Sequence, residues 1–316
     1  MRANEVTMDG RNDVVTQTRD LLEKERFNVT LADSRTSCFD LLARRRSFTM
    51  MLKFLLNIDS CSVGLAGDLK TVSNLFSACP LLIGERTRHQ DMQDGVLYGR
   101  YGVNAVTPQT LFDVFSIDQY PVVNSSRGGY CVRIDGELLK RIRIERGLSV
   151  GELADGIGVS RTMIYSYEHS GFGATLSTVV KLEELLDEPL ALPIEVFSIP
   201  PLEEHKVSVK ELEKNVFLLL ERIGFKIHPI NRAPFDAVTT SGSEFMLTKV
   251  DSQSERCVRD LKIIRDVSSV AVCPAFVVTS SPDARENFEG VPVIKNSELE
   301  EIKTPGEFLE TLERRS

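Results

Sequence analysis

The stretch Leu148-Ser-Val-Gly-Glu-Leu-Ala-Asp-Gly-Ile-Gly-Val-Ser-Arg-Thr-Met-Ile-Tyr-Ser-Tyr-Glu168 decides how this chain is read. Ser149, with Glu152 three residues on, forms a capping box in which each side chain satisfies a free backbone donor at a helix start. A helix is therefore expected from Ser149. Leu153 and Ala154 give it a buried face, and Gly156-Ile-Gly158 supplies a tight turn. Ser160 is the residue type that caps the next helix, because its hydroxyl accepts from the unpaired N–H groups of the first turn. In that second helix Ile164 and Tyr167 point inward. Arg161, Thr162, Tyr165 and Ser166 are left on the opposite face, where such side chains meet base edges or phosphates.

Two short helices joined this way resemble the helix-turn-helix of the Cro and phage-repressor (XRE-like) DNA-binding domains, and the likeness runs from Asp135 to Leu186. Leu138, Ile142 and Leu148 match the first helix and its exit, Ala154 the small residue at a close helix crossing, and Val159 and Ile164 the core of the recognition helix. Thr175 matches the cap of a fourth helix ending at Leu186. The resemblance implies that Ser160, Arg161, Thr162 and Ser166 face bases or phosphates, with Arg161 foremost. Val150 stands where many relatives carry a Gln or Arg that clamps a phosphate, so anchoring there is weaker or comes from elsewhere. Arg141 and Arg143, beside the first helix, are candidates to track phosphates.

Charge does not supply this binding. The net charge is -8 over 316 residues, which opposes indiscriminate adhesion to nucleic acid and leaves recognition to local placement. A hydrophobic content of 42% suffices for buried cores, and the length suits two or three domains. No apolar run is long enough to span a bilayer and the first residues are polar, so a cytoplasmic protein without a membrane partner is expected. Cys38, Cys61, Cys79, Cys131, Cys257 and Cys273 are scattered without a paired motif, which favours buried reduced thiols over zinc or disulfides. Phosphate-loop, dinucleotide, zinc-protease and serine-hydrolase motifs are missing from the sequence, and neither a cofactor nor an enzymatic activity is expected.

The flanks of the central segment read as copies of one another. Leu21-Leu-Glu-Lys-Glu-Arg-Phe-Asn-Val29 leads to Phe39-Asp40 and then Met50-Met-Leu-Lys53; Leu219-Leu-Glu-Arg-Ile-Gly-Phe-Lys-Ile227 leads to Phe235-Asp236 and then Met246-Leu-Thr-Lys249. Cys79-Pro-Leu-Leu-Ile83 echoes Cys273-Pro-Ala-Phe-Val277 further on. An ordered set of echoes implies internal duplication. Apolar bursts such as Phe48 to Leu56 and Val270 to Thr279 suit strands, each copy running helix, strand, strand, helix, strand, short strand and helix. Gly64-Leu-Ala-Gly67 reads as a turn entering a helix from Asp68 to Phe76, and Arg44-Arg-Arg46 as a hairpin tip.

An Asp followed after a short interval by a Lys, in such a layered copy, resembles the restriction-endonuclease-like fold of the PD-(D/E)XK nucleases and junction resolvases. There the Asp and a second acid two residues before the Lys hold Mg²⁺. That second position is Met51 in one copy and Leu247 in the other, and a hard cation gains nothing from either. Asp40 and Asp236 are accordingly expected to cap or turn the chain, with Lys53 and Lys249 facing solvent. An acid on the following helix, from Asp59, Asp68, Glu255 or Asp260, is the remaining route to a metal site.

Linkers at Asp118 to Gly129 and at Pro189 to Ser208 divide the chain into 1–125, 126–200 and 201–316. The expected fold is multidomain α+β, with a central all-α helix-turn-helix bundle between two duplicated α/β restriction-endonuclease-like domains. The whole resembles archaeal proteins described as HTH-type transcriptional regulators, through Gly128 to Glu137 and Leu148 to Glu168 above all. The resemblance implies binding to double-stranded DNA in gene regulation. Because one recognition helix reads only a few base pairs, a homodimer is expected. The alternatives are an Mg-dependent nuclease or junction-processing protein guided by the helix-turn-helix, and a scaffold that binds no DNA.

Overall fold

The computed structural model describes residues 2–32, 37–126, 129–169, 173–202, 207–242, 244–251 and 255–316; the side chains of 2–9, 251 and 255–258 lie outside that set. The chain opens with α1 (Arg2–Lys24), β1 (Asn28–Leu31), β2 (Leu41–Arg45), β3 (Phe48–Phe54), α2 (Val63–Leu75) and β4 (Cys79–Ile83). Next come β5 (Val96–Arg100), β6 (Val103–Val106), α3 (Pro108–Ser116), β7 (Val123–Ser126) and β8 (Gly129–Val132). The central helices are α4 (Gly136–Glu145), α5 (Val150–Ile157), α6 (Arg161–His169) and α7 (Leu176–Leu186), with β9 (Ala174–Thr175) before the last. The remainder is α8 (Glu211–Ile223), β10 (Lys226–Pro229), β11 (Ala237–Ser241), β12 (Glu244–Asp251), α9 (Glu255–Ala271), β13 (Ala275–Thr279), β14 (Asn287–Phe288), β15 (Val291–Lys295), α10 (Asn296–Glu301) and α11 (Pro305–Arg315).

These elements form two compact units, one of Met1–Ile83, Tyr101–Val103 and Ser198–Ser316, the other of Gly84–Arg100 and Asn104–Phe197. In the first unit the strand orders β1-β2-β3-β4 and β10-β11-β12-β13 are the same; the register of the antiparallel pairs is the same too, while the parallel pair is offset by one residue in the second copy. Leu41 opposes Leu52 and Met51 lies beside Pro80; Ala237 opposes Thr248 and Leu247 lies beside Ala275. Both parallel steps need a crossover, supplied by α2 and α9. The sequence echoes thus recur as one topology built twice.

Three local expectations change. Three strands, not two, precede each crossover helix, because β1 and β10 are short, half-exposed and carry no apolar burst to announce them. Val270 closes α9 rather than opening β13, since a buried helix end and a buried strand share the same composition. Gly64 to Gly67 lies inside α2, whose first turn is capped by Ser62, its Oγ accepting from the Leu65 N–H at 3.2 Å.

The second unit has the strand order β6-β5-β7-β8-β9, with β7 falling in the stretch read as a linker. The four central helices therefore come with strands: Cys131 pairs with Thr175 and Val132 with Ala174. The pairing depends on Gly173, because a Cβ there would fall 2.0 Å from the Cys131 Sγ. Among the described residues no helix is long and apolar enough to cross a membrane. Of the cysteines, Cys38, Cys61, Cys79 and Cys273 are buried and in no disulfide, and Cys131 is half-buried; the Cys257 side chain is outside the described set.

Candidate nucleic-acid interface

The two central helices are set by local chemistry. The Glu152 N–H donates to Ser149 Oγ at 3.1 Å and the Ser149 N–H to Glu152 Oε2 at 2.8 Å, completing the capping box. These bonds, the backbone one foremost, hold the Glu152 carboxyl below its usual range. Gly158 ends α5 at φ +78°, a left-handed conformation that favours glycine. Ser160 then starts α6, its Oγ accepting from the Met163 N–H at 3.2 Å. Leu153, Ala154, Ile157, Ile164 and Tyr167 are buried between the helices.

What remains outside is a polar and aromatic face. Ser160, Arg161 and Thr162 are exposed at the start of α6, and Ser166 is half-buried. The Arg161 guanidinium lies across α5 at Gly151, where a Cβ would come within 3.0 Å of its Nε. Tyr165 is 58% exposed and stacks on His169 at 4.2 Å between ring centroids. His169 Nδ1 meets the Tyr165 carbonyl at 2.9 Å and its Nε2 lies 3.2 Å from Lys140 Nζ. Sequence reasoning missed Lys140 and His169, although the four-residue spacing from Tyr165 to His169 puts both rings on one helix face.

Arg141 is exposed on α4. Arg143 is not, and the expectation that it tracks phosphates is corrected. Its Nε donates to Glu168 Oε1 at 2.6 Å, its Nη2 to Glu168 Oε2 at 3.0 Å and its Nη1 to the Leu148 carbonyl at 2.9 Å. The Glu168 side chain is 1% exposed, so this guanidinium is committed to the interior and its pKa is raised by that carboxylate. Two arginines two residues apart on a helix point in different directions, which a charge count does not register.

The nuclease-like positions tell a parallel story. Asp40 and Lys53 are buried against each other, Nζ to Oδ1 at 2.9 Å, while Arg11 reaches the same oxygen at 2.8 Å and the Phe54 N–H donates to Oδ2 at 2.8 Å. Lys53 also donates to the Ser37 carbonyl at 2.6 Å. In the second copy Lys249 lies 3.4 Å from Asp236 and 3.0 Å from Asp260 on α9. Burial is the main cause of the raised Asp236 pKa, with Lys249 opposing it. Neither lysine faces solvent, contrary to expectation: each neutralises a buried carboxylate, which would otherwise be costly.

Of the acids proposed to replace the missing ligand, Asp260 lies on the lysine of its copy. Asp68 is buried on α2 and pairs with Arg232 at 3.3 Å. Asp59 lies in a single helical turn, Ile58–Ser60, and the Glu255 side chain is outside the described residues. Met51 and Leu247 are fully buried. A hard divalent cation needs about six oxygen ligands. Around Asp40 the contacts are instead an ammonium, a guanidinium and an N–H donor. Among the described residues no group of three His, Cys, Asp or Glu could hold a metal. Among the described residues, the surroundings of Asp40 do not fit Mg²⁺.

Comparison with known proteins gives the class first: residues 11–121 match the model of a PD-(D/E)XK superfamily domain, and 139–192 match a helix-turn-helix model. The likeness then extends to whole proteins. The chain is 34% identical over 307 residues to a provisionally named HTH-type transcriptional regulatory protein of Pyrococcus furiosus, covering 96% of this chain and 97% of that one. Similarly named proteins of Methanothermobacter thermautotrophicus and Methanocaldococcus jannaschii are each 33% identical, with 96% of this chain covered and 97% and 96% of theirs. The chain belongs to this family of HTH-type transcriptional regulatory proteins. No solved structure matches it.

Proposed function

We propose that the chain is a sequence-specific DNA-binding transcription regulator that reads the major groove with α6. The observation that carries this reading is the outward face of α6, where Ser160, Arg161 and Thr162 are exposed on a helix fixed from behind by Ile164 and Tyr167. An exposed Arg at the start of such a helix is suited to the paired acceptors of a guanine edge. Tyr165 and Ser166 extend the contact and Arg141 adds a phosphate. The provisional names of the relatives support the same reading. We further propose three segments, 1–125, 126–200 and 201–316, with the helices of the middle one as the DNA-binding part and the flanks as nuclease-like domains that do not cut. A homodimer would present two recognition helices to a symmetric site.

Selection of duplexes from a random-sequence pool tests the reading. The parent protein is expected to enrich one motif, and Arg161→Ala with Ser166→Ala to lose it without unfolding. Equal enrichment by the parent and the double variant would overturn the assignment of α6. Light scattering on the selected duplex tests the stoichiometry, two chains being the expected count.

A further inference from the structure

The two copies in the first unit differ where β11 meets β12. In the first copy the end of the β2–β3 hairpin closes on a ring of its own chain: Phe48 meets Phe27 edge-on at 6.1 Å between ring centroids, and the Arg45 guanidinium lies 4.5 Å over the same ring. Arg45 faces Phe48 across that hairpin as Ser241 faces Glu244 in the second copy. A cation and a ring are thus exchanged for a hydroxyl and a carboxylate. Phe225, the counterpart of Phe27, packs instead on Phe308 of α11 at 5.1 Å.

Between the altered hairpin end, the turn from α9 to β13 and α11 lies a cavity of about 480 Å³. That is the size of a pocket for a small organic molecule. Phe245, Met246, Leu309 and Leu312 give it apolar walls, and the exposed Glu244 and Glu313 bring two carboxylates to it. Among the described residues that line it none is basic. Arg44, which reaches the end of α9 from the first copy, is committed to the carbonyls of Ala271 and Arg46. Val272 also lines the cavity, 74% exposed and at φ +57°, a left-handed conformation that is an outlier for a β-branched residue. A glycine would sit there without strain, whereas the isopropyl group adds apolar surface to the cavity. Strain of this kind gathers at ligand clamps.

We infer that this cavity binds a small organic cation, an amine carried on an aromatic body, with the body against Phe245 and Met246 and the ammonium against Glu244 and Glu313. A ring and a thioether both attract an aromatic partner. An acidic ligand would meet two like charges, and a neutral one would gain nothing from either. The site lies in the unit that does not contain α6, so it stands or falls separately from the reading of DNA.

Three probes with one indole body and different charges test the assignment: tryptamine, tryptophol and indoleacetate. Each is titrated calorimetrically into the full chain at neutral pH and low salt, where exposed charges are least screened. Tryptamine is expected to bind about tenfold tighter than tryptophol, the sum of two exposed ion pairs, and indoleacetate to bind weakest. Glu244→Gln/Glu313→Gln is expected to bring tryptamine down to the affinity of tryptophol. Ser241→Arg, which restores the cation of the first copy, is expected to do the same, with thermal melts verifying that both variants fold. No tryptamine binding at millimolar concentration, equal affinity for the three probes, a preference for indoleacetate, or tryptamine binding unchanged in the folded glutamine variant would overturn the inference.

Discussion

Arg143 on α4 and Glu168 near the end of α6 are joined by two parallel hydrogen bonds, 2.6 and 3.0 Å long, inside the helix-turn-helix. The pair fixes the rear of the recognition helix to the first helix of the bundle, and the third bond, to the Leu148 carbonyl, ties in the chain entering α5. Cutting one partner strands the other charge in the interior. Arg143→Ala and Glu168→Gln are each expected to destabilise the unit by about 3–5 kcal/mol, whereas Arg143→Met with Glu168→Leu recovers much of the loss. Urea denaturation of the three variants checks this, and a loss in the double variant equal to the sum of the two single losses would refute a coupled pair.

Arg141 differs from Arg143 only in which way it points, and this makes a sharp comparison. Arg141→Ala is expected to leave the melting temperature within a degree or two, as surface changes away from special features usually do. It should lower the salt slope of DNA binding by about 1, the signature of one lost phosphate. A large fall in melting temperature would show that Arg141 serves the fold instead.

Asp40 and Asp236 occupy equivalent places with different surroundings. Asp40→Asn leaves Lys53 buried without its carboxylate and removes the partner of Arg11, so a loss of about 3–5 kcal/mol is expected. Burial raises the Asp236 pKa above 3.8, so the folded chain holds that proton more tightly than the unfolded one. The group's contribution to stability therefore falls as pH rises from 3.8 through the raised value, and at neutral pH its ionised form is a burden. Asp236→Asn, with Lys249 still held by Asp260, is expected to be no less stable than the parent at pH 7. Thermal melts of both variants decide between these outcomes.

Mg²⁺ or Mn²⁺ at millimolar concentration is expected to leave the melting temperature unchanged, since a ligand that binds only the folded state would raise it by mass action. Duplex and branched DNA should survive incubation with either ion. Cutting that disappears in Asp236→Ala would reverse the proposal that these domains do not cut.

Glu152 provides a pH test of the capping box. Its pKa lies below 4.5 in the folded chain because its carboxylate accepts hydrogen bonds from Ser149. Its contribution is therefore present in full above 4.5 and lost as pH falls through the lower folded value. The melting-temperature gap between the parent and Glu152→Ala is expected to be open at pH 7 and to close in strong acid. A gap independent of pH would mean that the carboxylate charge plays no part.

Local order fixed what could be read in advance. Ser149, Glu152, Gly158, Ser160 and Thr175 act on the backbone within a few residues, so their positions in the sequence were enough to place the ends of α5, α6 and α7. The duplication was legible too, because two copies of one register need the same residues at the same intervals. The directions of charges were not. Whether Arg143 meets a phosphate or Glu168 depends on how α4 crosses α6, and whether Lys53 meets water or Asp40 depends on strands pairing across β2 and β3. The joining of residues 84–100 to the helix-turn-helix unit was likewise decided by contacts distant in sequence. Local hydrogen bonds are written in adjacent residues, but the burial of a charge is a property of everything packed around it, and only the folded chain determines that.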